Sequence, residues 1–489
     1  MVVAPAAVFR KNRFPALLGK KNDALVVLLA KGLRPGDLGN SATTLTTREP
    51  AELAVGVLPD HVSRGNSPTR AESVRRVVSG AKGGKGKLAI ILVVDDPDHV
   101  LAQAIAVGRC FPQFSGKSQP GKERRVQILA VDRKGKPVKV PAHVGTFVGA
   151  VRDSAELVDT PPSELDPESF SARAQAFLEG IEGITVEEIV GDDLLDRGLG
   201  GIHAVGRCAL PAPRLLMFHY DPGDPGDPGA SKKAKDAKKA NDAEDSEGES
   251  KQQHIALVGK GVTYDTGGLN LKIGGNMSGM KCDMGGAAAV LGAFRCIVAA
   301  GTRHKVSLLL CMAENAIGPA AYKPDDIITM HSGKTVEINN TDAEGRLLLA
   351  DGVSWAAREL EADIIFDAAT LTGAQLIATG LLHGALYAAD GELEQAMIDA
   401  GRRCGDLAHP LPFAPEFFRQ EFSSVVADMC NSVRNRMNAQ SACAGQFVYN
   451  HISDTDARWV HLDLAGPAFP KDRGTGYGVA LLATTVLGL

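Results

Sequence analysis

The chain has no Cys-x-x-Cys pair; its eight cysteines are scattered, without the close spacing of a disulfide framework. They read as reduced, mostly buried thiols of a cytosolic-type compartment. No apolar run reaches the roughly 18 residues that a membrane span needs. Neither sign of charge prevails, since 53 Lys and Arg stand against 58 Asp and Glu, a net −5. That balance offers no global reason to expect nucleic acid or an acidic membrane surface as partner. The 12 histidines include no His-Glu-x-x-His, so a metal site here must rest on carboxylates or be absent. Gly116-Lys117-Ser118 and Gly333-Lys334-Thr335 lack the upstream glycine of a phosphate loop, because Phe111 and Ile328 stand in its place.

What is present suits a large enzyme. With 489 residues and 44% hydrophobic content, the chain can fill two or three domain-sized cores. The alternation of runs predicts an α/β domain over 1–150, with buried strands at 24–29, 88–94 and 126–131 and a helix at 99–110. No constellation in it carries chemistry. The first 22 residues hold Arg10, Lys11, Arg13, Lys20 and Lys21 and no acid. That composition is faintly like a transit peptide; Val2-Val3 and 6–9 equally suit a first strand, with 23–30 the next. A connecting helix at 143–158 and a linker at 151–165 precede Asp166-Pro167, a cap and first-turn proline. A second domain is expected over 166–489. Within it, 221–253 runs through Asp-Pro-Gly repeats, a Lys/Ala stretch and an acidic tract. Such low complexity buries nothing and predicts a mobile surface insertion, with a docking loop as the other reading.

The most informative stretch is Ile338-Asn339-Asn340-Thr341-Asp342-Ala343-Glu344-Gly345-Arg346. It lies where a short strand at 335–339 hands over to a helix at 347–360. Thr341-x-x-Glu344 also fits a capping box, which alone would account for both residues. Upstream stand Lys260-Gly-Val-Thr-Tyr-Asp265-Thr-Gly-Gly, then Lys272, then Met280-Lys281-Cys282-Asp283-Met284-Gly285-Gly286. A buried strand at 255–258 leads into these glycines, which place Asp265 and Asp283 on tight turns. Asp265, Asp283, Asp342 and Glu344 in one pocket would repel one another unless cations neutralised them. Two divalent metals, Zn, Mn, Mg or Co, are the natural solution, and such pairs are hydrolytic centres.

These strings together resemble the leucyl aminopeptidase (cytosol aminopeptidase) family, two-metal type. So do Asp367-Ala368-Ala369-Thr370-Leu371-Thr372-Gly373 and Trp459-Val-His-Leu-Asp463-Leu-Ala465-Gly466. The likeness runs from about residue 161 to the C-terminus, and Ala368 stands where a larger aliphatic residue is usual. The resemblance implies a small N-terminal α/β domain used in assembly and a larger catalytic domain with a mixed sheet flanked by helices. It implies that Lys260, Asp265, Asp283 and Glu344 hold one metal, and that Asp265, Asp342 and Glu344 hold the other. Lys272 then stabilises the oxyanion, and Arg346 holds a bicarbonate that shuttles the proton. Met280, Thr370, Gly373, Ala465 and Ala468 then line the pocket for the first substrate side chain, Asn340 and Ala343 face the second residue, and Leu371 also binds substrate.

The resemblance further implies removal of N-terminal leucine-like residues from peptides, a homohexamer and a cytoplasmic setting. Two other readings share the residues. One is a non-catalytic scaffold on this fold, DNA binding included; the other is a two-metal phosphoesterase. A leucine amide and a phosphate ester would tell the enzymes apart.

Overall fold

The computed structural model describes residues 1–10, 14–47, 49–83, 86–119, 121, 124–223 and 252–489. Of the low-complexity stretch expected to be mobile, 224–251 lies outside the described residues. Two compact units divide the chain: Met1–Arg152 with Asp399–Leu407, and Asp153–Ile398 with Ala408–Leu489.

The first unit is built on five strands, β1 (Val2–Pro5), β2 (Asn40–Leu45), β3 (Glu52–Leu58), β4 (Leu88–Val93) and β5 (Val126–Val131), in the order β2-β3-β1-β4-β5. Only β2 runs antiparallel to its neighbour. One expected strand is a helix: 24–29 lies inside Lys20–Lys31. Of that helix only Val26 and Ala30 are buried, four residues apart, while Leu28 is 65% exposed. A short apolar run has no period of its own, and here a single helical stripe packs while the rest faces solvent. Residues 6–9 likewise form a 3₁₀ turn, not strand.

The second unit carries β6 (Ile184–Val190), β7 (Arg214–Tyr220), β8 (His254–Asp265), β9 (Lys305–Asn315), β10 (Ile327–Thr329), β11 (Thr335–Glu337), β12 (Ile364–Ala369), β13 (Gly384–Ala388), β14 (Ala408–Pro410), β15 (Met429–Cys430) and β16 (Arg458–Asp463). Eight of them form a mixed sheet in the order β14-β13-β16-β12-β8-β9-β7-β6. The middle four, β16, β12, β8 and β9, are parallel. Their residues are buried almost continuously, without polar alternation, because helices cover both faces. On one face Val258 meets the helix Gly345–Arg358; on the other, Gly259 faces Ala287 of the helix Gly285–Ala300. A Cβ on Gly259 would come within 2.5 Å of the Ala287 Cα, so this contact needs glycine.

The continuous helical stretch Met280–Ala300 is long and apolar enough to cross a membrane, but 89% of its apolar window is buried inside the protein. It is a core helix, and Lys281, Asp283 and Arg295 interrupt the run in sequence. Parallel strands bring their C-terminal ends to one rim, where α/β sheets place their sites. That rim receives Asp265 from β8, Thr370 after β12 and Asp463 from β16.

A buried carboxylate ties the helix Gly345–Arg358 into this unit. Asp351, 0% exposed, accepts backbone N–H bonds from Gly201 (2.7 Å), Ile202 (2.9 Å) and His331 (2.9 Å). Asp351→Ala leaves three buried donors unpaired and should cost about 3 kcal/mol or more. Urea melts beside the wild type measure this, and activity of the folded protein should stay within a few fold.

Candidate metal centre

Asp265 is the last residue of β8, and the chain turns there through Gly267 and Gly268, at φ +84° and +61°. The Gly267 N–H and Asn315 Nδ2 each donate to Asp265 Oδ1 at 2.8 Å, which leaves Oδ2 facing Lys272 Nζ at 2.8 Å. Lys272 also pairs with Asp342. Asp283 lies in a 3₁₀ turn, Met280–Met284, ahead of the core helix. Its carboxylate takes Lys260 Nζ at 2.7 Å and the Thr370 hydroxyl at 3.0 Å. Lys260 Nζ donates further to the Thr370 carbonyl and pairs with Glu344 Oε1, each at 3.0 Å.

The expected capping box is absent. Glu344 occupies the cap position of the helix Gly345–Arg358 with no side-chain cap bond, because its carboxylate turns to Lys260. Thr341 serves the loop instead. Its hydroxyl donates to the Gly267 carbonyl (2.7 Å) and accepts from the Asn270 N–H (2.8 Å), joining the two acidic segments.

Electrostatics follows from this packing. Burial pushes the Asp265 carboxyl up to about 6, assisted by the Glu344 charge, and lifts Asp283 and Asp342 as well. Burial opposes the charge on Glu344 too, but Lys260 and Lys272 outweigh it and hold that carboxyl below its ordinary range. Burial likewise works against the Lys260 ammonium, yet Asp283, Glu344 and Asp265 hold it above the ordinary lysine range. Four carboxyl groups thus face two ammonium groups, and burial meets the excess of acids by favouring the protonated forms of Asp265, Asp283 and Asp342.

The remaining residues fall around the same rim. Thr370 and Ala468 both approach Gly285, within 3.1 and 3.4 Å of where its Cβ would be. The Leu371 and Ala465 N–H groups both donate to Asp463 Oδ1, at 3.2 and 3.3 Å, and Gly373 opens the helix Gly373–Thr379. Met280 begins the turn that carries Asp283. Arg346 is buried, its Nη1 donating to the Asn431 carbonyl at 3.1 Å while Nε has no partner among the described residues. Burial brings this guanidinium down to about 10. Asn340 and Ala343 are held by the Asn431 side chain. Asn315, Tyr322 and Asn431 are contributors that sequence reading missed. Tyr322 donates to the Thr341 carbonyl at 2.6 Å. None sits beside a recognisable motif, and only long-range pairing brings them in.

The donor set fits divalent metals. One oxygen each from Asp265, Asp342 and Glu344 lie within 4.8 Å of one another. Glu344 Oε2 is buried and accepts no hydrogen bond among the described residues, a vacancy in its bonding that a cation satisfies. Carboxylate oxygens and an amine suit Zn, Mn, Co or Mg. The fold and this cluster define a candidate metal site, rich in carboxylates, on the rim of an α/β sheet.

Residues 153–233 and 243–483 match the catalytic domain of the cytosol aminopeptidase family, and 37–120 match N-terminal domain 2 of M17 aminopeptidases. A Homo sapiens protein described as a probable aminopeptidase is 44% identical over 438 residues, 88% of this chain and 78% of its own. Leucine aminopeptidase 1 of Caenorhabditis elegans is 40% identical over 460 residues, 91% of this chain and 88% of its own. Leucyl aminopeptidase of Trypanosoma brucei, solved in complex with actinonin, superposes with TM-score 0.87 at 35% identity, covering 100% of this chain and 91% of that one. The chain belongs to the cytosol aminopeptidase family, and it is a metal-dependent aminopeptidase.

Proposed function

We propose that this enzyme removes leucine-like residues from the N-termini of peptides at a two-metal centre. The observation that carries the reading is the convergence of Asp265, Asp283, Asp342 and Glu344 with Lys260 on one buried rim. In it Lys260, Asp265, Asp283 and Glu344 would hold one metal, and Asp265, Asp342 and Glu344 would hold the other. Zn, Mn, Co or Mg supplies Lewis acidity there, activating water and polarising the scissile carbonyl.

This chain's side chains do the rest. Lys260 would hold a metal only as the neutral amine, in exchange for its ion pairs with Asp283 and Glu344. Lys272, beside Asp265 and Asp342, stabilises charge that develops on the carbonyl oxygen. Arg346 has a buried Nε with no partner among the described residues, which suits bidentate hold of a planar anion such as bicarbonate, keeping a proton carrier beside Glu344. Asp283 accepts a hydrogen bond from the substrate's free α-amine, which an internal peptide lacks; that selects chain ends.

Met280, Thr370, Leu371, Gly373, Ala465 and Ala468 surround the first substrate side chain. They are apolar, small or already hydrogen-bonded, so a charged side chain finds no partner. Asn340 and Ala343 face the second residue. A homohexamer in the cytoplasm completes the reading, which rests on the family membership.

Metal-stripped protein re-supplied in turn with Zn, Mn, Co and Mg tests it. At least one metal should restore hydrolysis of leucine-p-nitroanilide, with no turnover of p-nitrophenyl phosphate. Failure of every metal overturns the reading, as does cleavage of the phosphate ester alone.

A further inference from the structure

Asn431 sits at the end of β15, which pairs in parallel with β11, Val336 opposite Met429 and Glu337 opposite Cys430. The register continues past the strands. The Asn431 N–H donates to the Glu337 carbonyl at 3.0 Å, and its side chain, 0% exposed, turns into the loop that carries the acids. Oδ1 accepts from the Asn339 N–H (3.0 Å) and the Asn340 N–H (3.2 Å). Nδ2 donates to the Asn340 carbonyl (2.7 Å) and the Ala343 carbonyl (3.3 Å). The reverse amide orientation would set two donors against two donors, so the network itself fixes which end is which. Finally, the Asn431 carbonyl accepts from Arg346 Nη1 at 3.1 Å.

One residue thus holds both flanks of Asp342 and also Arg346, without touching any reacting atom. We infer that Asn431 is a positioning residue. Its carboxamide clamps the 339–343 loop so that Asp342 and Glu344 present their oxygens together, and its carbonyl anchors the Arg346 guanidinium. Both a backbone donor pair and a backbone acceptor pair need matching at this spot, and only a primary carboxamide of this length supplies both from one side chain. Aspartate offers the same shape but sets a second oxygen against the Asn340 and Ala343 carbonyls. Alanine removes all four of these bonds, leaving the Asn340 carbonyl only its bond from the Ala343 N–H at 3.2 Å. The inference rests on the aminopeptidase reading for its catalytic part and on the metal centre alone for its binding part.

The test measures metal affinity by competition with a chelator, together with kcat and KM for leucine-p-nitroanilide at saturating metal. It uses the full chain and the variants Asn431→Asp and Asn431→Ala. Val433→Ala, a buried truncation two residues on, is the stability control. Partners that orient metal ligands typically govern affinity or activity by about 10- to 100-fold. Both Asn431 variants should lose metal affinity within that range. They should also lose kcat at saturating metal, with KM changed less than kcat. Val433→Ala should lower the melting temperature and leave affinity and kcat within twofold. Unchanged affinity and kcat in either folded Asn431 variant overturn the inference, and so does an equal loss in Val433→Ala. Failure of both Asn431 variants to fold also overturns it, because the residue would then serve the fold and not the site. If wild type binds metal but does not turn over leucine-p-nitroanilide, the aminopeptidase reading fails, while the affinity comparison still judges the clamp.

Discussion

Glu344→Gln should lower kcat/KM for a leucine amide by about a thousandfold, since metal-centred charge stabilisation is worth several kcal/mol and each 1.36 kcal/mol is tenfold. The two oxygens of Glu344 are not equivalent: Oε1 meets Lys260 Nζ at 3.0 Å, and Oε2 is buried with no hydrogen-bond partner among the described residues. A glutamine has no harmless orientation here. With its NH2 toward Lys260, two donors collide; with its NH2 in place of Oε2, a donor occupies the position that suits a cation. Either way one negative charge leaves a centre where it offsets two lysines. Metal content after dialysis should fall alongside activity, and circular dichroism should show the fold retained. Activity within tenfold of wild type at saturating metal would count decisively against Glu344 as a ligand.

Gly345→Ala tests the same centre through a residue that ligates nothing. A Cβ at Gly345 would lie 2.4 Å from Lys260 Cε and 2.6 Å from both Cδ and Nζ. Gly345 begins its helix between Glu344 and Arg346, so backbone relief would move both of those side chains. The lysine stem must give way instead. That costs little sterically, but it carries Nζ off Asp283, Glu344 and the Thr370 carbonyl. A displacement of about 1 Å at such a centre costs on the order of a hundredfold in rate. The expected result is that loss in kcat/KM with a melting temperature close to wild type. Full activity would show that Lys260 can be moved freely and has no part in the chemistry.

Elements with a local physical cause are legible in the sequence. Asp166 caps the helix Pro167–Leu178, with Pro167 in its first turn, and Ser169 completes a reciprocal box. The buried strands β4 and β8 announce themselves as apolar runs at 88–94 and 255–258, whereas the run at 126–131 forms the strand β5 but is only partly buried, with Leu129 44% exposed. The misreadings also have a cause. Residues 24–29 form too short an apolar run to choose between strand and helix, and tertiary packing chose. Thr341 and Glu344 match a helix cap locally, but each has a stronger partner far away in sequence, Gly267 and Asn270 for one and Lys260 for the other. Asn431 has no local signature at all; its whole role comes from the pairing of β15 with β11.

From residue types and spacing alone came the α/β reading of residues 1–150, the expectation of a carboxylate site in place of histidines, and the strings that carry the family resemblance; the larger domain with its mixed sheet was implied by that resemblance. These depend on neighbours in the chain, where glycines, apolar runs and acids act over a few residues. Tertiary structure alone decided which oxygens stay free and which are spent. Asp265 Oδ1 is taken by the Gly267 N–H and Asn315, Glu344 Oε2 has no partner among the described residues, and Lys260 is pinned among Asp283, Glu344 and the Thr370 carbonyl. The physical reason is that parallel strands deliver residues about a hundred positions apart, such as Asp265 and Thr370, to one buried rim. There desolvation makes every unpaired charge costly, so partner choice is set by geometry in space.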